Sequence, residues 1–267
     1  MKLALVLAAG SVLMPPVAHA QSCASYVGQV VAPRDIDDVM APFRAIGEKG
    51  EFESTDQYNS RKSAAIAKLG GTLIVRKAPE DRKHLLYDAD AQQLNIVSYA
   101  FRNLGFNADA LFGPGAPYRG VMESSYLNID VVIKEDETVT GSYSASNSYG
   151  AKTQVSKIFR RTRGIFESKA VYGKDALFPA AQNGSNIAGS IPMSPQDAMR
   201  LKPTLQLAFV VAPKAPYYLS ALYDYPSTPT IRNPREVKNE VSALIADIQC
   251  GLVLDPTNIV LGGFETR

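Results

Sequence analysis

Between residues 55 and 69 the apolar positions recur at helical spacing, with Tyr58, Ala65, Ile66 and Leu69 on one stripe. Ser54 and Gln57 form a capping box in front of it, each side chain satisfying a free backbone N–H of the first turn. Gly70-Gly71 ends the helix. The same reading predicts a shorter helix around residues 35–46, interrupted or kinked by Pro42. A third helix is predicted over residues 233–250. Asn233 is its cap, Pro234 its first residue and Glu236 completes the box. Val237, Val241, Leu244, Ile245 and Ile248 form its apolar face, and Gly251 stops it, which puts Cys250 in the last turn.

From residue 72 the period changes to two, the signature of strands. Residues 72–78, 83–89 and 93–101 read as strands, with Asp88-Ala89-Asp90 as the turn between the second and third. Residues 126–135 and 138–146 read as a hairpin across Asp136-Glu137, followed across Asn147–Gly150 by a strand over 150–160. Residues 204–212 and 217–224 read as a further pair, and LVLD with NIVL as a brief terminal pair. Short connections favour antiparallel pairing. Residues 103–120 and 173–203 are rich in Gly, Pro, Ser and Asn and read as long loops, with a short helix starting at Ser194-Pro195 and Asp197. The expected fold is one α+β domain over residues 21–267. It is a mainly antiparallel sheet with a helix after the first mature segment and a C-terminal helix packed on it.

The chain begins with Lys2, an apolar run from Leu3 to about Met14, a Pro15-Pro16 break and Ala18-His19-Ala20. That is the pattern of a secretory leader over residues 1–20, cut after Ala20. About 12 apolar residues fall short of the roughly 20 needed to span a bilayer. A periplasmic or secreted protein is therefore expected. Of 28 Lys and Arg, one (Lys2) leaves with the leader, so 27 stand against 26 acids. This balance gives no global attraction to nucleic acid. Cys23 and Cys250 are the two cysteines, near the ends of the mature chain. In an oxidising compartment such a pair is expected to form a disulfide. Free thiols or a disulfide-linked dimer are the alternatives.

The mature chain keeps one histidine, His84. A zinc site built on two histidines is excluded, and a Ser-His-Asp relay would have to use His84. The Gly-x-Ser-x-Gly elbow, Ser-x-x-Lys, the P-loop, Gly-x-Gly-x-x-Gly and His-Glu-x-x-His are all missing. No metal or organic cofactor is expected. Paired carboxylates are the remaining catalytic option, with Glu51 and Glu53, Asp88 and Asp90, and the run from Glu135 to Glu137 as candidates. All sit before a helix or in expected turns, where acids are ordinary.

Two surfaces are binding candidates. Arg160, Arg161 and Arg163 form a basic cluster, but on a strand Arg160 points opposite to Arg161, which weakens an anion grip. Arg163 is expected near a turn ending at Gly164. Tyr217, Tyr223 and Tyr225 fall on one face of a strand, with Leu219 and Ala221 between them. That face either stacks on a sugar or partner protein or is core.

The run GEFESTDQYNSR (50–61), with SNSYGAKTQV (146–155), resembles segments of exported bacterial proteins of unknown function. Those pair a Glu-Phe-Glu-Ser/Thr helix start with a Tyr and an Arg on the first turns, here Tyr58 and Arg61. They also carry an Asn-x-aromatic-Gly turn, here Asn147–Gly150. The resemblance covers a small part of the chain and implies no activity. Together these readings predict a non-catalytic binding or accessory protein of the bacterial cell envelope. Its partner would be a protein or wall component, with no membrane span after leader cleavage. A carboxylate-dependent hydrolase of envelope glycans and a secreted effector or toxin are the alternatives.

Overall fold

The computed structural model describes residues 22–47, 49–77, 85–97, 104–107, 126–129, 131–167, 187–224 and 228–265. Residues 1–20, where a secretory leader is expected, His84, Tyr225, residues 173–186 and most of 103–120 lie outside the described residues.

The architecture is mixed, with strands dominant and mainly antiparallel. After a 3-10 turn, Cys23–Tyr26, come helix α1 (Ile36–Ile46), helix α2 (Thr55–Leu69) and strand β1 (Leu73–Lys77). Strands β2 (Leu85–Asp88), β3 (Gln93–Val97), β4 (Leu104–Asn107) and β5 (Tyr126–Ile129) are short. Strands β6 (Val131–Ser146) and β7 (Lys152–Glu167) are long. Strand β8 (Ile187–Pro192) and helix α3 (Pro195–Leu201) precede β9 (Gln206–Asp224), β10 (Arg235–Leu254) and β11 (Val260–Glu265).

The main sheet has the order β1-β9-β10-β7-β6, and β11 also pairs with β10. Strand β10 is its axis. Strand β9 runs along one edge of β10, while β7, parallel, and then β11 share the other. Two smaller sheets, β2-β3-β8 and β4-β5, complete the framework.

Helix α1 presents Ile36, Val39, Met40 and Phe43, all buried, at the i, i+3, i+4, i+7 spacing of one stripe. They pack with Val75, Phe209, Val211, Ile165 and Leu244 of the main sheet. Each such side chain contributes on the order of 1.5–3 kcal/mol on burial. The helix passes through Pro42, with Asp35 as its cap accepting from the Asp37 N–H at 2.8 Å. On a separate cluster, Cys23 packs with Ala208, Val210, Leu252 and Val260, and it is bonded to Cys250 with Cα atoms 5.6 Å apart. The disulfide expectation therefore holds, although Cys250 lies on a strand.

Strands β4 and β8 lie inside the expected loops 103–120 and 173–203, each formed by pairing with a strand distant in sequence, and the sequence and the structure part at three further places. The predicted C-terminal helix over 233–250 is instead most of β10. From Val241 to Ala246 every residue is buried, so the alternation that marks a half-exposed strand is erased, and a stretch that is apolar but for Ser242 satisfies a helical period by default. Asn233 does not cap a helix. It closes a turn with Thr230, and the Pro234 carbonyl accepts from Ser156, which starts the ladder with β7. Second, Asp136-Glu137 is not a turn but lies mid-strand in β6, opposite Arg161 and Arg160. Opposite charges across a ladder stabilise the pairing that the acids alone seemed to break. Third, 204–212 and 217–224 do not fold back on each other. Both belong to β9 and pair with β10, and Lys214–Tyr217 bulge out opposite Ile245. Pro213 and Pro216 lack the N–H a ladder needs, so the strand bulges there instead of reversing.

Candidate binding surface

The arginines of β7 end on carboxylates. On one face Arg160 donates from Nε to Glu137 Oε1 at 2.8 Å, its Nη2 lies 2.6 Å from the same oxygen, and Glu135 stands 3.8 Å away. Arg235 of β10 also reaches Glu137. On the other face Arg161 pairs with Glu240 at 3.4 Å and covers the Phe159 ring. Arg163 is mid-strand and only 6% exposed, not near a turn. Its Nη2 donates to both Asp136 oxygens, at 2.8 and 2.7 Å, and its Nε lies 3.2 Å from Asp37 Oδ1.

Asp37, on the first turn of α1, is the hub of this network. It accepts from Lys134 at 2.9 Å and from Arg44 at 2.8 Å. Burial pushes its carboxyl up, but the bonds from Lys134 and Arg44 and the field of Arg163 outweigh that and hold it below the ordinary value. Glu137 follows the same balance: burial raises it, and Arg160 and Arg235 bring it below the usual range. The split of Arg160 from Arg161 anticipated from the alternation is what the structure has. Among the described residues this is a charge-balanced lattice joining α1 to β6, β7 and β10, not a positive stripe for a phosphate polymer.

Of the candidate acids, Glu53, Asp88, Glu135 and Glu137 are likewise engaged, while Glu51 and Asp90 are exposed. Asp88 Oδ1 accepts from the N–H groups of Asp90 and Ala91, closing the β2–β3 turn. Glu135 accepts from Thr162 Oγ1 at 3.0 Å. Asp37, Glu53, Glu137, Asp197 and Asp255 are all held below the ordinary carboxylate value, whereas a general acid needs a raised one.

Tyr217 sits in the β9 bulge with φ +73° and stacks on Phe43 of α1, centroids 5.9 Å apart. It and Tyr218 pack on the main core cluster, while Leu219 is not part of it. The bulge removes the alternation that placed Tyr217 on the face of Leu219. Tyr223 belongs to β9, but its side chain, like Tyr225, lies outside the described residues.

Among the described residues, the most exposed aromatic was missed by the sequence reading. Phe52 is 95% exposed, in the loop between α1 and α2. The loop is held from several sides. Arg61 grips Glu53 through Nε at 2.6 Å and Nη2 at 2.7 Å, and its Nη1 donates to the Ile46 carbonyl. Glu53 Oε2 accepts from the Gly50 N–H at 3.1 Å, and Lys49 Nζ donates to Thr55 Oγ1 at 3.1 Å. Ser54 and Gln57 form the anticipated capping box. The signal in the sequence was one of register. A hydrophobic staple wants its apolar residue immediately before the cap, packed on the fourth helical residue, here Tyr58. That position holds Glu53, which turns to Arg61, and Phe52 falls one residue outside it.

A cleft of about 690 Å³ lies beside α3, lined by Gln92, Ile191, Met193, Ser194, Asp197 and Arg200 among others. Its charges are closed on each other, Arg200 donating to Asp197 at 2.7 Å and Ser194 Oγ to the same carboxylate at 2.9 Å. No metal-ligating group of His, Cys, Asp and Glu is present among the described residues, and no described helix is long and apolar enough to cross a membrane. Comparison with protein-family models, curated proteins and solved structures finds no match to this chain.

Proposed function

We infer that the chain is a periplasmic or secreted, non-catalytic binding or accessory protein of the bacterial cell envelope. The observation that carries this reading is Phe52, a nearly fully exposed ring on a loop held by a two-point Arg61–Glu53 contact. Among its described residues the loop has no buried side chain, so their hydrogen bonds do not serve the core. Large rigid aromatics dominate binding energy at protein interfaces, and fixing the loop beforehand lowers the entropy lost on docking. The leader-like start and the Cys23–Cys250 bond fit an oxidising compartment. The resemblance of residues 50–61 to exported bacterial proteins supports the same placement. The partner is an envelope protein or wall component that offers an apolar recess to the ring.

Photo-cross-linking in the producing cells tests this, with benzoylphenylalanine in place of Phe52 or, as a control, of the half-exposed Leu86. One recurrent adduct from position 52, lost on adding Arg61→Ala, is the expected result. Equal labelling from both positions, or turnover of any envelope substrate abolished by changing a single acid, overturns the reading.

A further inference from the structure

We propose that the outer half of the β6 edge pairs with the same edge of a second copy of this chain. The pairing is antiparallel, about a two-fold axis through Ser144. Among the described residues β6 ends the main sheet and has a partner only in β7. Protein sheets normally guard such an edge with charge, proline or bulges. The inner half of β6 is guarded by Lys134–Glu137 and by register shifts after Val132 and after Val139. From Gly141 to Ser146 there is no charge, no proline and no bulge.

The side chains of Ser142, Tyr143 and Ser144 are tied back onto their own sheet, and among the described residues nothing pairs with the outer backbone edge of this stretch. Gln154 of β7 bridges Ser142 and Ser144 through contacts of 2.9 Å each. Tyr143 lies under Lys157, whose Nζ is 5.4 Å from the ring centroid.

The occupant is argued from symmetry. In antiparallel pairing about Ser144, Ser144 meets itself, Ser142 meets Ser146 and the large Tyr143 meets the small Ala145, so the ladder is self-complementary. Val139 lies five residues before Ser144 and Tyr149 five after, and they are 68% and 93% exposed. The two-fold brings each copy's tip turn, with Tyr149, to the Val139 of the other, covering two exposed apolar side chains at each end. That turn is already set, because Asn147 Oδ1 accepts from the N–H groups of Tyr149 and Ala151, both at 3.0 Å. Centring on Tyr143 instead would force the bulged Thr140 into the ladder. The acids begin at Glu137, so the two acidic blocks stand about 45 Å apart at roughly 3.3 Å per residue. They do not repel.

Single-cysteine variants test this in the full mature chain, whose own cysteines are bonded to each other. Ser144→Cys is expected to give a covalent dimer with a short bis-maleimide at least about ten-fold faster than Met199→Cys, an exposed site on α3. Sedimentation of the unmodified protein is expected to show reversible dimerisation. Ser144→Pro, and separately Val139→Asp with Tyr149→Asp, should weaken it about ten-fold or more, with thermal unfolding confirming that each variant is folded. Equal cross-linking at 144 and 199 overturns the proposal. So does a dimer indifferent to these substitutions, or a monomer whose 142–146 amides are already protected from hydrogen exchange by another occupant.

Discussion

Phe264 of β11 lays its ring directly on the backbone of Gly251 in β10: a Cβ built on Gly251 would stand 2.0 Å from the ring Cζ. Gly189 of β8 is closed by the same residue, a built Cβ falling 2.3 Å from Phe264 Cβ. The ring thus holds β8 and β10 together and joins the small sheet to the main one. Gly251→Ala should destabilise the protein by about 1–3 kcal/mol or more through overpacking. Phe264→Ala should cost about 3–5 kcal/mol. Because the alanine methyl enters space that the ring vacates, the double variant should be less destabilised than the sum of the two. Urea unfolding of the four proteins measures this coupling, and strict additivity would refute the contact.

Joining Cys23 to Cys250 ties residues 227 positions apart, and Cys250 is fully buried. Changing both cysteines to alanine should lower stability by about 2–5 kcal/mol, through the freed unfolded chain. The check is the denaturant midpoint of the variant against the oxidised protein. An unchanged midpoint would mean that the bond is incidental to folding.

The Asp37 hub makes a pH prediction. Its carboxyl and that of Glu137 have folded values below the ordinary ones. The unfolded chain therefore binds protons first as the pH falls. The stability these groups contribute is complete above the unfolded values near 4, and is lost as the pH drops through the depressed folded values. Thermal midpoints should be flat from pH 7 to about 5 and then fall. Asp37→Asn should lower the plateau and make the acid limb shallower. An acid limb of unchanged steepness would show that Asp37 is not a principal contributor.

A peptide of residues 233–251 should become helical in fluorinated alcohol, by circular dichroism, although the same residues are strand in the protein. Its caps and apolar spacing are those of a helix, and only the flanking strands β7 and β9 supply the alternative. A peptide that stays disordered would mean that the helical pattern carries no intrinsic preference.

The sequence alone determined the features whose physics is local. The Ser54–Gln57 box, the Asp88 turn, the Asn147–Gly150 turn and the Ser194 cap each depend on contacts within a few residues, and each is found as read. The cysteine pairing was legible because a count of two leaves few options. Tertiary structure decided the rest. Whether residues 235–254 were helix or strand depended on two long neighbours and cover on both faces. Asp136 and Glu137 were turn formers until Arg160 and Arg163 stood beside them. Arg160, Arg161 and Arg163 remained candidates for an anionic contact until Glu137, Glu240 and Asp136 met them. Phe52 could be recognised as displayed only once Arg61 had folded back on Glu53, since exposure is set by what packs nearby and not by the residue itself.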